Sequence, residues 1–509
     1  MELNITRQQV CTNELCFNQS VEQSLDFDVN LPDYYGEIQK ILRSSLVPRI
    51  SSKSVSGQTL TIDGNACFNI VYLDENGKIC SYEQMIPFAK NIDLGASFEN
   101  CNISAQAKCS YLNAKASNQR RIVVHGVVDI QLRGCCKKAS EIICDIDNPE
   151  VFVNRGEAPS TSLVNCVEKN TIIDEKLELG PSQHSVENIL RHNAVLTLIN
   201  HKIINDKVIV KGELALDILY TCVNDAGIEK FSATVPFSQI LDVDGVTEDC
   251  ECDISMDIAS FELKPCSAYD GDVRAFSLDA KICITACAVC NNNVAVIYDA
   301  YSPKVNLNLK NENTVFEKMI DKISENFTCK KKLEFSDGDI SNIIDMWSNC
   351  ALQGYRCEDN DIIFTGTVTV CMFAKNQEND INYFERPIDF ECRCAVKDMP
   401  QNIKCQPQIL CKGSSYTLVG NNSIDVQVVL DVSASLYEIK QINILTDIQI
   451  PQENVEKCAN ECSLMVYFAN EGESVWDIAK RFNASPSDIM SVNSVGEIID
   501  CNKMLLVSC

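Results

Sequence analysis

The stretch "LTIDGNACFNIVY", residues 60–72, decides how the chain is read. Leu60, Ile62, Gly64, Ala66, Phe68, Ile70 and Tyr72 fall on one side, with mostly polar residues between them. A period of two marks extended backbone with one buried face, because successive side chains leave a strand on opposite sides. The pattern returns as "VIVKGELALDILY" (208–220) and as "IIFTGTVTVCMFA" (362–374). A central glycine recurs at Gly64, Gly212 and Gly366, so the offsets are 212 − 64 = 148 and 366 − 212 = 154. A glycine inside a strand predicts a bulge or a close approach of backbone.

Further markers keep step with it. Ahead of each strand lie "EIQKILRSS", "VENILRHNA" and "ISNIIDMWS". Their apolar doublets Ile41-Leu42, Ile189-Leu190 and Ile343-Ile344 repeat the same offsets, 189 − 41 = 148 and 343 − 189 = 154. We read these three segments as short helices. After each strand come Pro87-Phe88, Pro236-Phe237 and the weaker Pro387-Ile388, and long alternating segments at 121–132, 274–286 and 423–434 close each unit. A period near 150 is that of a domain, since solenoid repeats are much shorter. Polar stretches near 155–165, 302–314 and 451–462 suggest breaks. The expected fold is mainly β. Three β-rich domains, 1–160, 161–305 and 306–460, each carry a short helix, and a different unit occupies 461–509. Repetition suits either added size or several docking surfaces, which raise avidity towards an arrayed partner.

Composition narrows the function. At 509 residues, 45% hydrophobic, the chain is long enough for several buried cores, and its formal net charge is −27. Such a charge opposes nucleic-acid backbones and anionic lipid. The polar start "MELNITRQQV" does not read as an export signal, and no stretch approaches a membrane span, so a cytoplasmic setting is expected. Of the 29 cysteines, many stand where Val, Ala or Ser would fit a strand, as at Cys67, Cys222, Cys283 and Cys371. In a reducing compartment these are buried thiols.

Residues 461–509 follow another plan. "MVYF" precedes "ANEGES"; then Val475, Ile478, Ala479 and Phe482 line one helix face. Ser474 stands at the N-cap with Asp477 three residues on; Ser485 and Pro486 open a second helix, and "MLLVS" can return as a strand. This strand–helix–helix–strand order resembles the LysM module. Its core motif is matched by Gly472, Glu473, Ser474, Val475, Ile478 and Ala479, with Trp476, Phe482 and Asn493 at the further positions. Cys501-Asn502-Lys503 replaces the family's usual Pro-Gly-Gln turn. The resemblance implies a small β-α-α-β domain with a shallow groove between two loops, usually for N-acetylglucosamine chains. The candidate contact residues are Glu471, Gly472, Glu473, Ser474, Val475 and Trp476 in the first loop and helix start, and Asn493, Ser494 and Val495 in the second.

With the repeats ahead of it, the whole resembles the SipL family of clostridial spore-coat assembly proteins, whose repeated unit is the SPOCS domain. That resemblance implies a mother-cell protein at the forespore surface that binds the coat ATPase SpoIVA through its LysM module. The alternative is a binding protein for peptidoglycan or cortex glycan. Residue chemistry favours neither catalysis nor a cofactor. His125, His184, His192 and His201 lack the spacing of a metal-binding helix, and no phosphate loop or nucleophile elbow occurs. Cys287-x-x-Cys290 resembles half a zinc site but has no second half at ribbon spacing. No enzyme, cofactor or metal is expected.

Overall fold

A computed structural model describes residues 3–508 apart from 97–100, 268–271, 336–339, 421 and 452–463. Strand accounts for 77% of the chain and helix for 4%, so the fold is mainly β. Each repeat is a run of six strands. The first comprises β1 (Asn4–Asn30), β2 (Ile38–Ser56), β3 (Thr59–Asp74), β4 (Ile79–Asp93), β5 (Cys101–Asn118) and β6 (Arg121–Asp147). The second comprises β7 (Phe152–Glu178), β8 (Val186–Ile204), β9 (Lys207–Cys222), β10 (Ile228–Asp242), β11 (Glu251–Cys266) and β12 (Ala275–Tyr301). The third comprises β13 (Asn308–Glu334), β14 (Asn342–Glu358), β15 (Asp361–Lys375), β16 (Ile381–Ala395), β17 (Ile403–Leu418) and β18 (Ser423–Gln449). In every repeat the second, third and fourth strands form one antiparallel sheet, and the first, sixth and fifth form another. Each repeat's two sheets bury apolar side chains between them, in the second repeat as two clusters, as alternating strands in a sandwich must.

The expected helices are strands. Residues 38–56, 186–204 and 342–358 pair along their length with the glycine-bearing strand. Register shifts lie between Ile41 and Arg43, Ile189 and Arg191, and Ile343 and Asp345. Leu42, Leu190 and Ile344 are therefore the extra residues of three equivalent β-bulges. A bulge lets two neighbouring side chains avoid strict alternation, so it imitates the apolar doublet of a helix. Ile41, Ile189 and Ile343 pack into their own repeat's apolar interior. Leu42, Leu190 and Ile344 instead join one shared cluster with Val71, Leu219 and Phe373, which occupy equivalent positions in β3, β9 and β15.

That cluster is the hub of a closed ring. The fourth strand of each repeat meets the second strand of the next. Ser81 donates to the Ile189 carbonyl, Lys78 pairs with Glu187 at 2.8 Å, and His192 meets Glu83 at 2.9 Å. Lys230 lies 3.3 Å from Asp345, and Lys40 donates to Asn382 at 3.1 Å, which returns the third repeat to the first. Within the hub, the Arg191 guanidinium donates twice to Asp345 at 2.6 and 2.9 Å, both side chains being buried, and lies 4.1 Å from the Trp347 ring. Arg43 lies over the same ring at 5.0 Å. The far ends of the long strands close a second contact, where Ile143, Ile297 and Leu445 from the three repeats pack together.

The three glycines hold equivalent places in the central strands β3, β9 and β15. Phe88, Phe237 and Phe390 stand directly across from them. The equivalent of the first two phenylalanines is thus Phe390, and Pro387-Ile388 sits two residues out of register. A Cβ at Gly64, Gly212 or Gly366 would overlap the facing phenylalanine ring. The glycine is a close approach, with the aromatic ring laid over bare backbone. The first break also moves: the connection between repeats 1 and 2 is 148–151, while 155–165 lies inside β7. Within "RGEAPSTS" the small residues Ala158, Ser160 and Thr161 are buried, so a polar stretch here is part of the strand and not a linker. The second connection spans 302–307, and nearly all of 451–462 is outside the described residues.

At Gly64 and Gly366 the added Cβ would also overlap a backbone carbonyl, of Arg49 and Ala351 respectively, whereas at Gly212 the three nearest atoms all belong to the Phe237 ring. A ring can tilt away; a carbonyl in a paired strand cannot. Gly366→Ala should therefore destabilise the protein by about 1–3 kcal/mol, the usual range for overpacking, and Gly212→Ala by less. Denaturant unfolding of the two variants checks the order; equal losses would contradict it.

Candidate functional site

The C-terminal unit is β19 (Met465–Ala469), α1 (Val475–Phe482), α2 (Pro486–Asn493) and β20 (Lys503–Val507). Local chemistry sets both helices. Ser474 accepts from the Trp476 N–H at 3.2 Å, and Ser485 accepts from the Asp488 N–H at 3.3 Å. Asn483 and Ser494 end the helices in the left-handed conformation, with φ of 51° each. The two strands pair antiparallel, and Ala469, Val475, Ile478, Ala479, Ile489, Leu505 and Val507 form the core.

Most of the candidate contact residues hold this unit together. Val475 is core. Gly472 supplies a turn at φ 85°. Ser474 is the first helix cap. Glu473 accepts from the Tyr467 hydroxyl at 3.1 Å and the Asn470 N–H at 3.3 Å. Asn493 clips α2 to β20: its amide donates to the Leu506 carbonyl at 2.8 Å and accepts from the Leu506 N–H at 2.7 Å. Val495 is half-buried against the core. Glu471 and Ser494 are exposed.

Trp476, half-buried at the edge of this core, meets the second repeat. Its indole N–H donates to Asp299 at 2.9 Å, and its ring packs edge-on to Tyr301 at 5.0 Å. Lys480, one turn on, pairs with the same carboxylate at 2.6 Å. The Tyr301 hydroxyl donates to the Ala484 carbonyl at 2.6 Å, and Phe152 backs Tyr301 at 5.3 Å. Asp299, Tyr301 and Phe152 were not singled out from sequence. No strand end was predicted at either aromatic, and their pairing shows only in the register, where the other repeats have the polar pairs Asn4–Asp147 and Asn308–Gln449.

Two side-chain clusters each join one histidine to a cysteine and a glutamate distant from it in sequence. Cys67, Glu83 and His192 meet between the first two repeats, and His184, Cys222 and Glu229 meet in the second. Each offers sulfur, nitrogen and oxygen donors of the kind that suits zinc. In the first, half-buried Arg49 lies near both Cys67 and Glu83, and its charge opposes a cation. Cys287 and Cys290 are not a metal half-site: Cys287 is joined to Cys166 and Cys290 to Cys250 as disulfides. Cys67, Cys222 and Cys371 remain buried thiols. Burial pushes the Cys222 thiol up to about 11. A cavity of about 790 Å³ lies among all three repeats, lined by equivalent residues such as Ala107, Met256 and Ile409. In its wall Lys53 of the first repeat pairs with Glu168 of the second at 2.6 Å.

If Asn493 is a clip, Asn493→Ala should cost the C-terminal unit about 1–3 kcal/mol, the usual penalty for stranding backbone polar groups. Faster hydrogen exchange at the Leu506 amide would report it. Unchanged exchange would leave Asn493 available as a contact residue.

Comparison with known families fits this geometry. The family model described as "SipL, SPOCS domain" matches residues 37–117 and 185–265, and the LysM domain model matches 470–506. Each SPOCS match runs from the second strand of a repeat to the fifth, leaving out the long first and sixth strands altogether. No curated protein and no solved structure matches the chain. Both families are non-catalytic binding domains. No helix among the described residues is long and apolar enough to cross a membrane. The chain therefore has the SipL-type architecture, SPOCS domains followed by a C-terminal LysM domain.

Proposed function

We propose that this chain is a non-enzymatic adaptor of spore coat assembly. The ring of repeats is its scaffold and the LysM domain its partner-binding module. The partner is the coat ATPase SpoIVA, and the site of action is the mother-cell cytoplasm at the forespore surface. One observation carries the reading. The helices cover one face of the two-stranded LysM sheet; on the other, Val466 stands opposite Leu506 and Phe468 opposite Met504, all four exposed. A contiguous apolar face of this kind suits a protein partner. Exposed Glu471 and Ser494 lie in the adjoining loops. The family named for this repeat supports a coat setting.

The LysM match also supports a second reading, binding of peptidoglycan or cortex glycan. The two loops that would flank a sugar are tied by backbone bonds: Gly472 N–H to Ile499 carbonyl at 2.8 Å, and Ile499 N–H to Glu473 carbonyl at 2.9 Å. That pairing, with Cys501-Asn502-Lys503 before the last strand, favours the protein reading. Titration of the full chain with SpoIVA and with N-acetylglucosamine oligomers separates the two. Phe468→Glu should weaken SpoIVA binding at least about tenfold, or 1.4 kcal/mol, without altering the melt. Oligomer binding together with SpoIVA affinity unchanged by Phe468→Glu would favour the second reading.

A further inference from the structure

The bulge registers identify equivalent positions at the far ends of the long strands. In β6, β12 and β18 the extra residue is Cys144, Tyr298 or Thr446, and an aspartate follows it: Asp145, Asp299, Asp447. On the partner strand the residue just past the shift is Arg7, Arg155 or Asn311. Around the ring, each of these reaches the preceding repeat. Arg155 of the second repeat pairs with Asp145 of the first at 2.7 Å. Arg7 of the first pairs with Asp447 of the third at 3.3 Å and donates to the Thr446 carbonyl at 3.3 Å. At the remaining vertex Asn311 donates to the Tyr298 carbonyl at 3.1 Å, the equivalent of the Thr446 contact. Asparagine has no charge to give Asp299. The cation there comes from Lys480 of the LysM domain, beside the Trp476 indole.

A second difference coincides with the first. The terminal cross-strand pair is Asn4–Asp147 in repeat 1 and Asn308–Gln449 in repeat 3, but Phe152–Tyr301 in repeat 2. One vertex of three thus lacks its arginine and gains an aromatic platform, and that vertex holds the LysM helix. We propose that this vertex is a dedicated receptor for the chain's own LysM helix α1, recognising Trp476 and Lys480 one turn apart. The LysM domain is then carried as a fixed fourth unit of the ring. This holds whichever partner the LysM domain takes, so its failure and that of the adaptor reading are separate.

The chain has two tryptophans, Trp347 in the hub and Trp476 in the dock. Full-length protein labelled with 5-fluorotryptophan should give two fluorine resonances, assigned with Trp476→Phe. Asn311→Arg restores the missing arginine, which competes for Asp299. It should move the Trp476 signal towards its unfolded position and make it sensitive to exchange of H2O for D2O, with Trp347 unmoved. Asp299→Asn should act the same way. Asp145→Asn, which breaks an Arg–Asp vertex elsewhere, should leave Trp476 in place. Where Asn311→Arg also disturbs Trp347, Lys480→Met, which alters the LysM side alone, decides by the same signal. A Trp476 resonance already at its solvent-exposed position in the unaltered protein, or unmoved by Asp299→Asn and Lys480→Met, overturns the proposal.

Discussion

Three bulged side chains hold the ring together. Leu42, Leu190 and Ile344 are each the extra residue of a bulge in the second strand of a repeat, and all three join one apolar cluster shared by the three repeats. A strand buries one side and wets the other, so a plain sandwich would turn polar residues towards its neighbours. The bulge relaxes that rule at one point. It lets Ile41, Ile189 and Ile343 fill their own repeats while the next residue reaches the hub. Leu190 is fully buried there, and burying a leucine is worth about 1.5–3 kcal/mol. The ring contacts between second and fourth strands follow from this placement, and so does the cavity lined by equivalent residues.

Equivalent backbone carries unequal chemistry. Trp347 in the third repeat corresponds to Ser45 and Asn193, and Arg43, Arg191 and Asp345 share one position. Arg191 and Asp345 are thus related by the repeat yet paired with each other across the hub. A pair of this kind, desolvated on both sides, is costly to break: Arg191 without Asp345 would be a buried charge, whereas Asp345 also has Lys230 at 3.3 Å. Such differences distinguish a ring of three linked copies from a symmetric trimer. They allow one vertex alone to accommodate the single LysM domain.

Much of this was legible in residues 60–72 and their repeats, because period two and a glycine under an aromatic ring are local features. The LysM domain was legible for the same reason: caps, a Pro at the first helical turn and an i, i+3, i+4, i+7 face all lie within fifty residues. The bulges were not. Ile41-Leu42 is the same pair of letters in a helix and at a bulge, and the distinction rests on pairing with β3. Phe390 was missed because Pro387-Ile388 offered a nearer match by spelling, while the cross-strand register decides. The disulfides and the Cys–Glu–His clusters join residues far apart in sequence, and Trp476 docks on an aspartate 177 residues away. A side chain's exposure within its own module says nothing about such a neighbour.

Leu190→Ala tests the hub most directly, with hydrogen exchange read strand by strand. The substitution removes a buried side chain from repeat 2, at a cost of about 2–5 kcal/mol. In a closed ring that loss is shared. Exchange should quicken around Val71 in β3 and Phe373 in β15 as well as around Leu219 in β9. Faster exchange confined to β8, β9 and their own sandwich, with the first and third repeats unchanged, would show three independent domains and contradict the ring.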